Sequence, residues 1–278
     1  MTLSADRLTA LDAFIIDLNR ASAEVILPLF RADHGLEDKG AGKNLPRDSH
    51  AAFDPVTEAD RGAEAAIRAL ISERFPEHGV IGEEYGEDRP DAEFVWVLDP
   101  IDGTRAFISG LPLWTTLIGL RHQGRPVLGS IGQPYMDEIF IGHAGGSRLM
   151  ARGQSTPIKV RDCANLTDAV ISTTDPDACF DGAERGAWLQ VRAAAKLARL
   201  GCDAYAYAMV AMGKMDMVIE AGLKSWDIEA AIPVIEGAGG LVTDWRGEPI
   251  GQNGGQMVIS GDRRPLDEAL VSLRRSAK

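Results

Sequence analysis

The apolar run Phe94-Val-Trp-Val-Leu98 ends directly in Asp99-Pro-Ile-Asp102-Gly103-Thr104. Such a run reads as a strand buried on both faces, which belongs to a layered fold of sheets and helices. Two carboxylates and a glycine turn at the C-terminal end of that strand stand where α/β proteins place ligands. The pattern recurs. Glu83 and Glu84 follow Val80-Ile81-Gly82, Asp227 follows Trp226 at the start of an apolar helical stretch, and Asp60 closes Asp54-Pro-Val-Thr-Glu-Ala-Asp60. Two unit charges ~4 Å apart repel by ~4 kcal/mol at an effective dielectric near 20. Carboxylates gathered from these segments need cations among them, or protons on some of them.

Each string also has an ordinary structural reading: a turn for DPxDG, a solvated strand end for GEE, a helix N-cap for WD. Their combination in this order points to chemistry instead. The N–H groups of Gly103 and Thr104 are spaced to face an anion, and a helix starting at Thr104 adds its dipole. Carboxylates for metal and amides for phosphate, so close in sequence, describe metal-assisted phosphoryl transfer.

The rest of the chain supplies mixed elements. Helical spacing runs from Leu8 to about Ala32, and from Thr57 through Ile71 behind a cap-like start. Residues 33–52 are polar, lack periodicity and read as a mobile loop. Thr115–Leu120, Val127–Ile131 and Glu138–Ile141 alternate as a meander. Strands are expected at Val170–Thr173, Met217–Glu220, Leu241–Thr243 and Met257–Ser260. Helices are expected over Ala183–Leu200, Asp203–Met212, Asp227–Gly237 with a kink at Pro233, and Leu266–Leu273. Ala144-Gly145-Gly146 reads as a boundary between halves 1–144 and 145–278 of one structural unit.

Composition removes several functions. The 278 residues carry 29 basic and 41 acidic side chains, a net charge of −12 that repels nucleic acid. No run approaches a membrane span, and the N-terminal residues lack a secretory pattern. Cys163, Cys179 and Cys202 form no CxxC, which suits a reducing cytoplasm. The five histidines have no zinc spacing, so metal ligands should be carboxylates holding Mg²⁺ or Mn²⁺.

At Asp54–Asp60, Gly82-Glu83-Glu84, Trp96–Thr104, Trp226–Ala230 and Gly237–Gly240, the sequence resembles the inositol monophosphatase superfamily of Mg²⁺-dependent sugar phosphatases. The resemblance implies an α/β (α+β) fold, a layered αβαβα sandwich, and a homodimer. It also implies roles. Glu83, Asp99 and the Ile101 carbonyl would hold one metal, Asp99, Asp102 and Asp227 a second, with a third, weaker one near Glu83. Thr104, hydrogen-bonded to Asp60, would orient and help deprotonate water. Gly103 and Thr104 amides would bind phosphate, and Glu84 would support the ligands. Lys39 or Lys43 would supply a lysine near the site.

Arg105–Pro112, Gly222–Asp227 and Asp203 resemble the histidinol-phosphate phosphatase branch, which serves histidine biosynthesis. Asp203 and Glu220 suit the ammonium and imidazole of that ester. The plainer readings are a helix N-cap for Asp203 and a strand-end surface residue for Glu220. An inositol-1-phosphate or general sugar-monophosphate phosphatase is the alternative. A non-catalytic metal-binding regulator is the remote one.

Overall fold

Strands buried on both faces alternate their side chains between two cores, and that alternation orders the layers of this chain. The computed structural model describes residues 4–33, 35–39 and 55–278. Its elements are α1 (Ala5–Ile26), β1 (Glu37–Asp38), β2 (Pro55–Val56), α2 (Glu58–Arg74), β3 (Gly79–Gly82), β4 (Gly86–Asp88), β5 (Phe94–Asp102), α3 (Thr104–Ile108), β6 (Thr115–His122), β7 (Arg125–Gln133), β8 (Glu138–His143), β9 (Gly146–Ala151) and β10 (Gln154–Ile158). There follow β11 (Val170–Thr173), α4 (Gly182–Ala194), β12 (Leu197–Leu200), α5 (Tyr205–Ala211), β13 (Met217–Leu223), α6 (Ser225–Ile228), α7 (Ala231–Gly237), β14 (Leu241–Thr243), β15 (Gly255–Ser260) and α8 (Arg263–Leu273).

Among the described residues, one sheet runs β10-β9-β8-β7-β6-β5-β3-β4 and a second runs β12-β11-β13-β15-β14. Helices α1 and α2 cover the first sheet, α5 and α7 lie between the sheets, and α4 and α8 cover the second. This is the expected αβαβα sandwich. On β6, Ile118 and Leu120 join the outer core with Leu11, Ile15 and Leu18 of α1, while Leu117 faces the middle layer. On β13, Val218 enters the middle layer, and Met217 and Ile219 pack under α8. Each fully buried Leu or Ile contributes about 1.5–3 kcal/mol.

The middle layer sits unusually close to the first sheet. Gly119, Gly129 and Gly142 stand side by side across β6, β7 and β8. A Cβ on Gly129 would lie 2.1 Å from the Ala230 carbonyl oxygen, and one on Gly142 would lie 2.3 Å from that of Pro233. The three glycines form a trough for the backbone of the α6–α7 junction and the first turn of α7.

Several boundaries differ from the sequence reading. Helix α1 stops at Ile26, because Pro28 has no N–H for the next rung. Apart from Asp33 and residues 35–39, the expected 33–52 loop lies outside the described residues. Strand β1 in that stretch pairs antiparallel with β2. Ala144–Gly146 is the hairpin between β8 and β9, and β9 and β10 continue the first sheet, so the change of sheet falls after Ile158. The helix expected to reach Leu200 ends at Ala194, and Leu197–Leu200 instead pairs parallel with β11. The break in the Asp227–Gly237 helix falls at Glu229–Ala230, ahead of Pro233. Pro233 occupies the first turn of α7, where its missing N–H costs nothing.

Candidate metal centre and active site

Parallel pairing sets Gly82 of β3 opposite Leu98 of β5. The next residues, Glu83 and Asp99, therefore emerge side by side, and the Glu83 N–H donates to the Leu98 carbonyl at 3.2 Å. Strand β5 does not end at Leu98. It continues to Asp102 through a bulge, with Asp99 opposite Leu117 and Asp102 opposite Thr115. Residues three apart on a regular strand face opposite sides, and the inserted residue turns Asp102 to the side of Asp99. The Ile101 N–H donates to Asp99 Oδ1 at 3.1 Å, and Thr116 Oγ1 donates to the Pro100 carbonyl at 2.8 Å, which pin the bulge.

Asp227 reaches the same place from α6, held by the Lys224 N–H at 2.7 Å. It is the third residue of that helix turn rather than its N-cap, while Lys224 itself is exposed. One oxygen from each of Asp99, Asp102 and Asp227 lies within 4.8 Å of the others. Three hard oxygen donors at that spacing fit a divalent cation. Glu83 stands beside this cluster, with Oε1 3.4 Å from Lys39 Nζ, and Lys39 also reaches Glu84 Oε1 at 2.5 Å. Lys39 is thus the lysine that nears the site; Lys43, like Asp54, lies outside the described residues.

Burial and crowding raise these carboxyls together. Asp99 is pushed well above the usual range by burial, then by the charges of Glu83 and Asp102. Asp102 is raised by burial and by Asp203 and Asp227. Burial brings Asp227 to about 6. Burial likewise brings Glu83 to about 7, with Lys39 opposing the shift. Protons at these oxygens mark the places where a cation would be most welcome.

Gly103 takes φ +83°, a left-handed turn open to glycine, and caps α3. The Thr104 hydroxyl donates to the Ile101 carbonyl at 3.1 Å. Asp60 accepts instead from the Thr57 N–H at 2.8 Å and the Thr57 hydroxyl at 2.5 Å, closing a capping box on α2. The expected Thr104–Asp60 hydrogen bond is therefore not made: both groups are satisfied locally.

Asp203 lies over the turn. A Cβ on Gly103 would come within 3.0 Å of its Cγ. Its side chain does not cap α5, which starts without a side-chain cap. Burial raises it to about 6, with Arg105 as the opposing charge. The adjacent Ala204 N–H donates to Asp102 Oδ2 at 2.7 Å, tying β5 to the start of α5. Glu220 is buried rather than on the surface. It accepts from the Thr174 N–H at 2.8 Å, the Thr174 hydroxyl at 3.0 Å and the Thr173 hydroxyl at 3.2 Å. Burial lifts it to about 8, and Asp203 adds to the shift. Arg199 lies on the exposed face of β12. The sequence reading missed Glu64, a buried carboxylate behind Glu83; its signal was the i, i+4 spacing Asp60–Glu64–Arg68.

A sequence profile described as the inositol monophosphatase family matches residues 7–278. The chain belongs to the inositol monophosphatase family of phosphatases. An inositol monophosphatase from Zymomonas mobilis shares this fold with a TM-score of 0.82 at 37% identity, covering 98% of this chain and 100% of that one. The chloroplastic bifunctional phosphatase IMPL2 of Arabidopsis thaliana is 42% identical over 245 residues, 87% of this chain and 66% of that protein. The histidinol-phosphatase of Chlorobaculum parvum is 35% identical over 208 residues, 75% of this chain and 76% of that protein. The inositol monophosphatase family is the one that the motifs at Asp99–Thr104 and Trp226–Ala230 resemble.

Proposed function

We propose that this chain hydrolyses a phosphate monoester with the help of Mg²⁺, and that its substrate is histidinol phosphate. The observation that carries the substrate is Asp203, buried over the Gly103 turn and raised to about 6, with the buried Glu220 close enough to feel its charge. Such acids gain most from a cationic ligand. Histidinol phosphate brings an ammonium and an imidazole on the same molecule as its phosphate. A neutral polyol brings no charge to Asp203. The histidinol-phosphatase among the relatives supports the same choice.

Glu83, Asp99 and the Ile101 carbonyl would hold one cation, and Asp99, Asp102 and Asp227 a second, with a third, weaker one near Glu83. When bound, the cations supply positive charge that neutralises phosphate and makes nearby water more acidic. The Gly103 and Thr104 amides donate to phosphate oxygens. Because the Thr104 hydroxyl gives its proton to Ile101, its lone pairs are left to accept an O–H from the attacking water and aim it. Asp60 caps α2 through Thr57, and its charge lies close enough to Glu83 and Asp99 to raise both. Attack in line forms the new P–O bond as the ester P–O bond breaks; the attacking water gives up one proton and the departing alcohol oxygen takes one up, so that the products are phosphate and the free alcohol. The three unpaired cysteines support a cytoplasmic setting.

Phosphate release decides the matter. Purified protein with Mg²⁺ is expected to turn over histidinol phosphate with kcat/KM at least about tenfold above inositol 1-phosphate. Equal turnover of both would favour a general monophosphatase, the reading that the inositol monophosphatase of matching fold supports. No release from any ester would remove the catalytic reading.

A further inference from the structure

We propose that Glu64 is a positioning residue that fixes the backbone beneath Glu83 and so sets the affinity for a divalent cation. The inference rests on the metal-centre reading, in which Glu83 is a ligand. Glu64 lies in α2 one turn beyond Asp60, is 0% exposed and sits beside the core residues Ala63 and Ile67. A carboxylate in such surroundings is costly unless its oxygens are occupied. They are. Oε2 accepts from the Glu84 N–H at 2.8 Å, while Oε1 accepts from the Tyr85 N–H at 3.2 Å and from Arg68 Nε at 2.7 Å. Arg68 then donates through Nη2 to the Gly86 carbonyl.

Helix α2 thereby grips the turn between β3 and β4 at two successive amides and one carbonyl. The fit is tight: a Cβ on Gly82 would stand 2.0 Å from Glu64 Oε1. Glu83 lies between these anchors. Its own N–H is held by Leu98, and the next amide is held by Glu64. The main chain at Glu83 is fixed on both sides, the grip uses none of its carboxylate oxygens, and among the described residues Oε1 meets only the Lys39 ammonium, at 3.4 Å. That division suits a ligand, whose backbone must stay still while its oxygens remain available.

The test is calorimetric binding of Mg²⁺ to the 278-residue chain without substrate, for wild type, Glu64→Gln, Glu83→Gln and the double variant. Glutamine keeps the volume but loses the charge and sets an NH₂ among donors. Glu64→Gln is expected to weaken Mg²⁺ binding about tenfold. With Mg²⁺ saturating, KM for the ester should stay within about twofold. In the Glu83→Gln background, Glu64→Gln should weaken binding no further. Wild-type Mg²⁺ affinity in Glu64→Gln, with only a lower Tm, would make Glu64 a structural residue and overturn the proposal. Additive weakening in the double variant would overturn it too, since Glu64 would then act elsewhere. Wild type that binds no Mg²⁺ would remove the metal reading itself, a distinct failure. If Glu64→Gln does not fold, Arg68→Met loosens the same grip from its outer end. Weaker Mg²⁺ binding in that variant supports the proposal, and unchanged binding overturns it.

Discussion

Asp203 holds a left-handed backbone at φ +45°, which asparagine adopts with little strain. Asp203→Asn therefore removes a charge while leaving the turn as it is. We expect KM for histidinol phosphate to rise about tenfold and KM for inositol 1-phosphate to stay within about twofold, by steady-state kinetics. Equal shifts for both esters would make Asp203 a structural residue. The site's carboxylates were legible in the sequence where they follow an apolar strand, as Asp99 and Asp102 do. What could not be read was how each side chain settles. Thr104 and Asp60 each found a partner within three residues, and such local bonds compete with any longer reach. The sequence does not single out Glu64, since its i, i+4 spacing to Asp60 and Arg68 is common on exposed helix faces. Only the fold reveals that this side of α2 lies against the β3–β4 turn.

Elements were legible where burial imposes a period. Strands β6, β7 and β13 alternate between two cores, and Val170–Thr173 matches β11 end to end. The hairpin β9–β10 was not legible, because its residues are mostly exposed or half-buried and carry no alternation. Pro157 lies in β10, the outermost strand of its sheet, where proline is tolerated. Leu197–Leu200 reads as helix in the sequence because Ala193-Ala194-Ala195 carries no stop signal. The pairing of β12 with β11 decides that segment. The glycine trough gives a test at this scale. Gly129→Ala pits a new Cβ against the Ala230 carbonyl, backbone against side chain, and neither side can rotate away. We expect about 3 kcal/mol lower stability by urea unfolding. A loss well under about 1 kcal/mol would mean that α7 can lift from the sheet at little cost.

Across the whole molecule, the acidic excess behind the net charge of −12 includes a buried set gathered where cations are needed. Folding pushes Asp227 to about 6, Glu83 to about 7 and Glu220 to about 8, from ordinary values of 3.8, 4.5 and 4.5. Between about pH 5 and pH 8, the unfolded chain binds fewer protons than the folded one, so stability without added metal falls as pH rises. Below the ordinary values both states are protonated and the penalty disappears. Divalent cations compete with those protons. Thermal unfolding with and without Mg²⁺ is therefore expected to show a fall in Tm from about pH 5.5 to about pH 8 without the ion. Mg²⁺ should raise Tm more at the upper end of that range than at the lower. A metal-free Tm that climbs over this range would contradict the assignment of strained acids to the centre.

The hydrogen bond from the Ala204 amide to Asp102 has a consequence for how this chain can evolve. One carboxyl serves both the charge cluster and the joint between the first sheet and the inter-sheet helices. A replacement chosen to retune reactivity there also loosens the joinery, and a replacement chosen for rigidity also alters reactivity. New specificities should therefore arise around position 203 before they arise at position 102.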